Sequence, residues 1–217
     1  MFRFAKYAAT VAAVLVLIAV SVRSDNTAKP AAVPAEEKAS LVGQKAPDFS
    51  LKDTDGKLHT LRQYLDSGKT VVIQWFNPNC PFVIRHFETY PTFTDLYTAY
   101  NKKNVVVLAI NSTNPKHPQF GNNVEMKKKW GIQYPILLDE DGVVGKLYDA
   151  KTTPHTFVIS PDGFVRYSGA IDDDPQDAKA AKDKINYARQ ALDELLAGKP
   201  VSVPETRPYG CGVKYAQ

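Results

Sequence analysis

The sequence predicts an α/β sandwich, and three observations carry that prediction. Thr70 to Phe76 (TVVIQWF) and Val105 to Ile110 are nearly continuous apolar runs with β-branched residues, the pattern of strands covered on both faces. Apolar residues at Val83, Phe87, Tyr90, Phe93, Leu96 and Tyr100 recur at three or four, a helical period. Two short alternating segments with an Asp-Gly in their turns read as hairpins. Strands that alternate with helices favour this plan over an all-α or all-β one.

The chain begins with Arg3 and Lys6, an uncharged run from Tyr7 to Val22, and Arg23. Charge followed by an apolar stretch is the order of an export signal. Sixteen helical residues would span about 24 Å, short of the roughly 30 Å hydrocarbon core. A cleaved signal and a short uncleaved membrane anchor therefore both fit residues 1–23. Residues 24–40, with Pro30, Pro34 and small or charged side chains, read as a linker. A folded domain is expected over 41–198, outside the cytoplasm, where disulfides persist.

Phe49 to Lys52 and Leu58 to Leu61 flank Asp53-Thr54-Asp55-Gly56 as a first hairpin. Thr70 to Phe76 is the central strand. A helix starts at Cys80, after Asn77-Pro78-Asn79, and Pro91 should kink it. Val105 to Ile110 is a second buried strand, and the polar loop from Asn111 to Pro118 leads to a helix ending near Trp130-Gly131. Pro135 to Leu138 is a brief strand. Thr156 to Ile159 and Phe164 to Tyr167 form a second hairpin around Ser160-Pro161-Asp162-Gly163. A last helix is expected from about Asp177 to Ala197, stopped by Gly198. Residues 199–217 hold three prolines and Tyr209-Gly210-Cys211-Gly212, and are expected to lie extended over the domain.

The 217 residues contain 27 Lys and Arg against 23 Asp and Glu, a formal net charge of +4. Three of those cations lie in the first 23 residues, so the remainder is close to neutral and nucleic acid is not an implied partner. With only 2 cysteines there is neither a disulfide scaffold nor a four-cysteine zinc site.

Cys80 sits where a buried strand hands over to a helix. Free backbone N–H groups and the helix dipole there favour thiolate over thiol. Pro81 suits the first helical position because its missing N–H has no intrahelical partner. Val83 and Ile84 share the cysteine's face, whereas Arg85 and His86 point elsewhere, so activation comes from the helix end. The competing reading is a buried, inert cysteine. Between Gly198 and Cys211 the proline-rich chain could span about 40 Å, enough to bring Cys211 to Cys80.

The order of hairpin, TVVIQWF strand, Asn79-Cys80-Pro81-Phe82-Val83, Thr152-Thr153-Pro154 and the Pro161-Asp162-Gly163 hairpin resembles the thioredoxin superfamily. The opening Val42-Gly43-Gln44-Lys45-Ala46-Pro47-Asp48-Phe49 is similar to its redoxin branch, the alkyl hydroperoxide reductase and thiol-specific antioxidant group. The ending Thr206-Arg207-Pro208-Tyr209-Gly210-Cys211 resembles a peroxiredoxin-like subgroup with a single cysteine at the nucleophile turn. The resemblance implies a thioredoxin-like three-layer sandwich with a central mixed sheet and an N-terminal β-hairpin. It implies a cis peptide at Pro154 and a substrate site at Thr153, Pro154, Pro81 and Phe82, with the Thr153 backbone offered to a bound peptide.

The departures matter too. The position of the second thioredoxin cysteine is Val83, and that of the buried carboxylate six residues before the first cysteine is Gln74. The peroxiredoxin Pro-x-x-x-Thr-x-x-Cys is absent, since counting back from Cys80 gives Asn77 and Ile73. The histidines His59, His86, His117 and His155 show no pair at ligand spacing, and Asp172-Asp173-Asp174 reads as a solvated helix entry before it reads as a cation site. No metal or cofactor is implied.

The expectation is an exported thiol-disulfide oxidoreductase with Cys80 as nucleophile. Cys211 or an external thiol would resolve the intermediate. Protein or small-molecule disulfides and thiols would be its substrates and an external thiol its reductant, with residues 7–22 a possible membrane tether. The alternatives are a noncatalytic thioredoxin-fold binding or metal-handling module using Cys80 and His155, and a thiol peroxidase.

Overall fold

The computed structural model describes residues 39–216. The expected signal or anchor, and all but the last two residues of the expected linker, lie outside the described residues.

Asp53 builds the first turn: its Oδ1 accepts the backbone N–H groups of Asp55 and Lys57, each at 2.9 Å. On either side β1 (Ser50–Lys52) and β2 (Leu58–Thr60) pair antiparallel. The second strand stops one residue early because Thr60 becomes a helix cap, accepting Gln63 N–H at 3.1 Å and opening α1 (Leu61–Asp66). Thr60-x-x-Gln63 has capping-box spacing, a signal for a helix that the strand assignment passed over.

β3 (Thr70–Trp75) is buried at every residue. The helix after Cys80 is interrupted, not kinked. α2 (Pro81–Ile84) runs into a wide turn over Arg85–Thr89, closed by Tyr90 N–H to the Arg85 carbonyl at 2.9 Å. Pro91 has no N–H to extend it, and α3 (Thr92–Tyr100) starts afresh. There follow β4 (Val105–Asn111), α4 (Asn123–Lys129), β5 (Ile136–Leu138) and α5 (Val143–Leu147). Then come β6 (Thr152–Thr153), β7 (Thr156–Ile159) and β8 (Val165–Gly169). The short α5 was not foreseen.

The last helix, α6 (Tyr187–Leu196), starts about ten residues later than expected. The alanines and charges of 177–186 suit a helix, but side chains hold that stretch as a loop. Asp174 accepts Ala178 and Lys179 N–H at 2.8 and 2.9 Å, and Asp173 accepts Ile185 N–H at 2.9 Å. Asn186 then caps α6 through Arg189 N–H.

The central sheet has the order β5-β4-β3-β7-β8, with β3, β4 and β5 parallel and β7 antiparallel to both β3 and β8. Successive residues of β3 face opposite layers. Val72 and the following Phe76 pack with Leu96 and Tyr100 of α3 and Ala188 and Leu192 of α6. Val71, Ile73 and Trp75 pack with Phe49, Leu61, Val144 and Tyr148. This is the thioredoxin-like three-layer sandwich, with its N-terminal hairpin beside the sheet.

Past α6 the chain turns back across the domain. Thr206 N–H bonds the Ser168 carbonyl at 3.1 Å beside β8, and β9 (Cys211–Gly212) then pairs antiparallel with β6. Beyond it Tyr215 Oη donates to the Ala150 carbonyl at 2.8 Å.

Candidate functional site

The turn between β3 and α2 is tied from within. Asn77 donates from Nδ2 to Thr113 Oγ1 at 2.9 Å, while its Oδ1 accepts Asn79 N–H at 2.8 Å. Cys80 follows in extended conformation as the residue capping α2, its N–H on the Asn77 carbonyl at 3.0 Å. Pro81 occupies the first helical position and is exposed.

The Cys80 side chain is only 2 % exposed. Its thiol donates to the carbonyl oxygen of Thr153 at 2.9 Å. The Thr153–Pro154 peptide bond is cis. Thr153 is the register partner of Cys211, and its Oγ1 donates to the Cys211 carbonyl at 3.4 Å. The backbone edge expected to receive a peptide is thus held by the chain's own tail. Gly210 makes the approach possible: at φ 133° it carries no Cβ, which here would collide with the Thr153 carbonyl.

Both thiols are free, Cys80 buried and Cys211 half-buried. Burial, and after it the hydrogen-bonding and charge influence of Cys80, push the Cys211 thiol up to about 12. Cys211 is therefore held as the thiol at ordinary pH. Such an arrangement can interconvert between dithiol and disulfide.

The remaining candidates separate into those at the sulfurs and those with structural duties. Phe82 is half-buried, with its ring edge-on to Tyr209 at 5.9 Å. Gln74 is buried and donates to Tyr134 Oη at 3.0 Å, while its Oε1 has no partner. His155 is not aimed at Cys80. Its Nδ1 accepts Lys151 N–H at 3.2 Å and its Nε2 meets Ser168 Oγ at 3.2 Å, over the Phe157 ring. Burial and the Lys151 charge push it down to about 3, so it is neutral at ordinary pH. Asp172, Asp173 and Asp174 spend their carboxylates on backbone N–H groups, Tyr209 and lysines.

The sequence reading missed a cluster just past the short helix that follows the cysteine. His86 is fully buried, with Nδ1 on Thr92 Oγ1 at 3.1 Å and Nε2 on Tyr209 Oη at 3.0 Å. Arg85 Nη2 donates to the same hydroxyl at 3.3 Å, and the hydroxyl donates to Asp172. The available signal was Tyr209 itself, a hydrogen-bonding aromatic two residues from Cys211.

The chain is 34% identical over 132 residues to the thiol-disulfide oxidoreductase ResA of Geobacillus thermodenitrificans, covering 60% of this chain and 70% of that one. It is 31% identical over 113 residues to a putative peroxiredoxin bcp of Helicobacter pylori, covering 50% and 66%. Among solved structures, an uncharacterized conserved protein from Geobacillus kaustophilus superimposes with a TM-score of 0.71 at 30% identity, over 81% of this chain and 92% of that one. The AhpC/TSA family model matches residues 42–168, from just before the first hairpin to the end of the sheet, and the chain belongs to that family.

Proposed function

We propose that this protein is a thiol-disulfide oxidoreductase working through the Cys80 and Cys211 pair. The observation that carries the reading is that the Thr153 carbonyl accepts the Cys80 thiol at 2.9 Å while Thr153 stands in register with Cys211, so that one backbone position meets both cysteines. The Cys80 thiolate attacks one sulfur of a substrate disulfide, the substrate S–S bond breaks, and the departing thiolate takes a proton. Cys211 then loses its proton and attacks Cys80 Sγ in the mixed disulfide, releasing the second substrate thiol. The protein is left oxidised by two electrons as the Cys80–Cys211 disulfide, which an external thiol reductant returns to the dithiol.

The raised titration of Cys211 fits this order. Two of its causes, the hydrogen bond and charge of Cys80, end when Cys80 enters the mixed disulfide, so Cys211 gains acidity when it must attack. Because Cys80 is buried beneath β9, an external disulfide reaches it when the tail lifts. Pro81, Phe82, Thr153 and Pro154 would then line the exposed groove. Residues 1–23 serve as export signal or anchor, with 7–22 as the apolar part and 24–40 as linker, so that the domain over 41–198 and the tail over 199–217 work outside the cytoplasm. Among the described residues no helix is long and apolar enough to cross a membrane.

The test is nonreducing electrophoresis of Cys211→Ser expressed in its native host. Mixed disulfides should accumulate, disappear with reductant and be absent from Cys80→Ser. A Cys211→Ser protein that forms no Cys80-dependent adducts would sink the reading.

A further inference from the structure

We infer that Tyr209 is the positioning residue for the second thiol, a latch that docks the tail so that Cys211 meets Cys80. The inference rests on the reading of those cysteines as the redox pair. Tyr209 and Cys211 are two residues apart and meet the same segment. Tyr209 packs edge-on against Phe82 and bonds His86 and Arg85, while Cys211 pairs with Thr153, whose carbonyl accepts the Cys80 thiol. The tail is therefore seated at two points along the segment from Cys80 to His86.

The seat for Tyr209 is built from groups that are costly to bury without a partner. His86 is pushed down to about 3 by burial and then by Arg85 and Lys184, and so sits neutral, its Nδ1 accepting from Thr92 and its Nε2–H donating to the Tyr209 oxygen. Asp172, 3 % exposed, accepts the hydrogen bond that the hydroxyl donates. One phenol oxygen thus receives two donors and serves one carboxylate. Between the two points, Gly210 has neither the Cβ nor the ordinary φ that would hold the tail away from Thr153. His86 lies in the wide turn at Arg85–Thr89 and is its buried residue, so the latch is built on the break in the helix.

Loosening the tail should lower the effective concentration of Cys211 at Cys80 and hence the equilibrium constant for their disulfide. The full chain is equilibrated in glutathione redox buffers, the disulfide fraction is read by alkylation and mass spectrometry, and melting of the fully reduced proteins checks folding. Tyr209→Phe should lower the constant about tenfold, which is about 30 mV for a two-electron couple. Asp172→Asn, of the same size, weakens the latch from its other side and should shift the constant in the same direction. Tyr215→Phe, which removes a tail hydroxyl beyond Cys211, should leave it unchanged. Folded Tyr209→Phe and Asp172→Asn proteins with the wild-type constant, or a Tyr215→Phe shift as large as that of Tyr209→Phe, would overturn the latch while leaving the redox pair standing. A wild-type chain that forms no Cys80–Cys211 disulfide in any buffer removes the pair and the latch with it.

Discussion

The Cys80 thiol and the Thr153 carbonyl are joined by a 2.9 Å hydrogen bond, and Thr153 stands opposite Cys211 in the β6–β9 ladder. One backbone position thus meets two cysteines 131 residues apart in sequence, at positions 80 and 211. Neither cysteine has another thiol to exchange with inside the chain.

Oxidation should join them. Mass spectrometry of the protein held under oxidising conditions should show the loss of two hydrogens and a peptide linking Cys80 to Cys211. In the chain-entropy model a loop of this length stabilises the fold by about 5 kcal/mol, less any strain. The oxidised form should accordingly melt higher than the reduced one. Two free thiols under oxidising conditions would refute the pairing.

Cys211 should report on Cys80. Burial leads the causes that raise it, followed by the Cys80 hydrogen bond and charge. Cys80→Ala removes the last two and leaves burial. The Cys211 thiolate absorbance should then titrate below the value of about 12, yet above the roughly 8.5 of a free cysteine. An unchanged midpoint would mean that the two sulfurs do not interact.

What was legible in the sequence was whatever depends on neighbours along the chain. The TVVIQWF run became a strand buried at every residue because uninterrupted apolar character leaves no face for water. Asp53 and Gly56 made their turn for equally local reasons. The helix expected from Asp177 failed because Asp173 and Asp174 compete for its backbone N–H groups, a contest that propensity does not register. The latch was invisible because His86 and Tyr209 are 123 residues apart and meet only after the tail folds back.

Acid should destabilise the protein through its buried histidines. His86 and His155 are both pushed down to about 3, against about 6.5 in an unfolded chain. For a depressed group the stabilisation is complete above the unfolded value and is lost as pH falls from about 6.5 toward 3. His155→Gln, which keeps a polar side chain but cannot take up this proton, should flatten the melting temperature between pH 7 and pH 4 relative to wild type. Parallel curves would show that His155 is not linked to folding.

Gly210 should control access to Cys80. At φ 133° a side chain is strained, and a Cβ there would also strike the Thr153 carbonyl. Gly210→Ala therefore penalises the docked tail by about 1–3 kcal/mol while leaving the lifted tail unaffected. Since about 1.4 kcal/mol is a tenfold change in an equilibrium, the lifted form should gain roughly tenfold or more. The measurement is alkylation of Cys80 by an uncharged reagent, in a Cys211→Ser background so that only one thiol reacts. Cys80 is 2 % exposed with the tail docked, so its rate follows the opening of the tail. The double variant should react faster than Cys211→Ser alone, with the sheet intact by circular dichroism. Equal rates in the two proteins would show that the β6–β9 contact does not guard the cysteine.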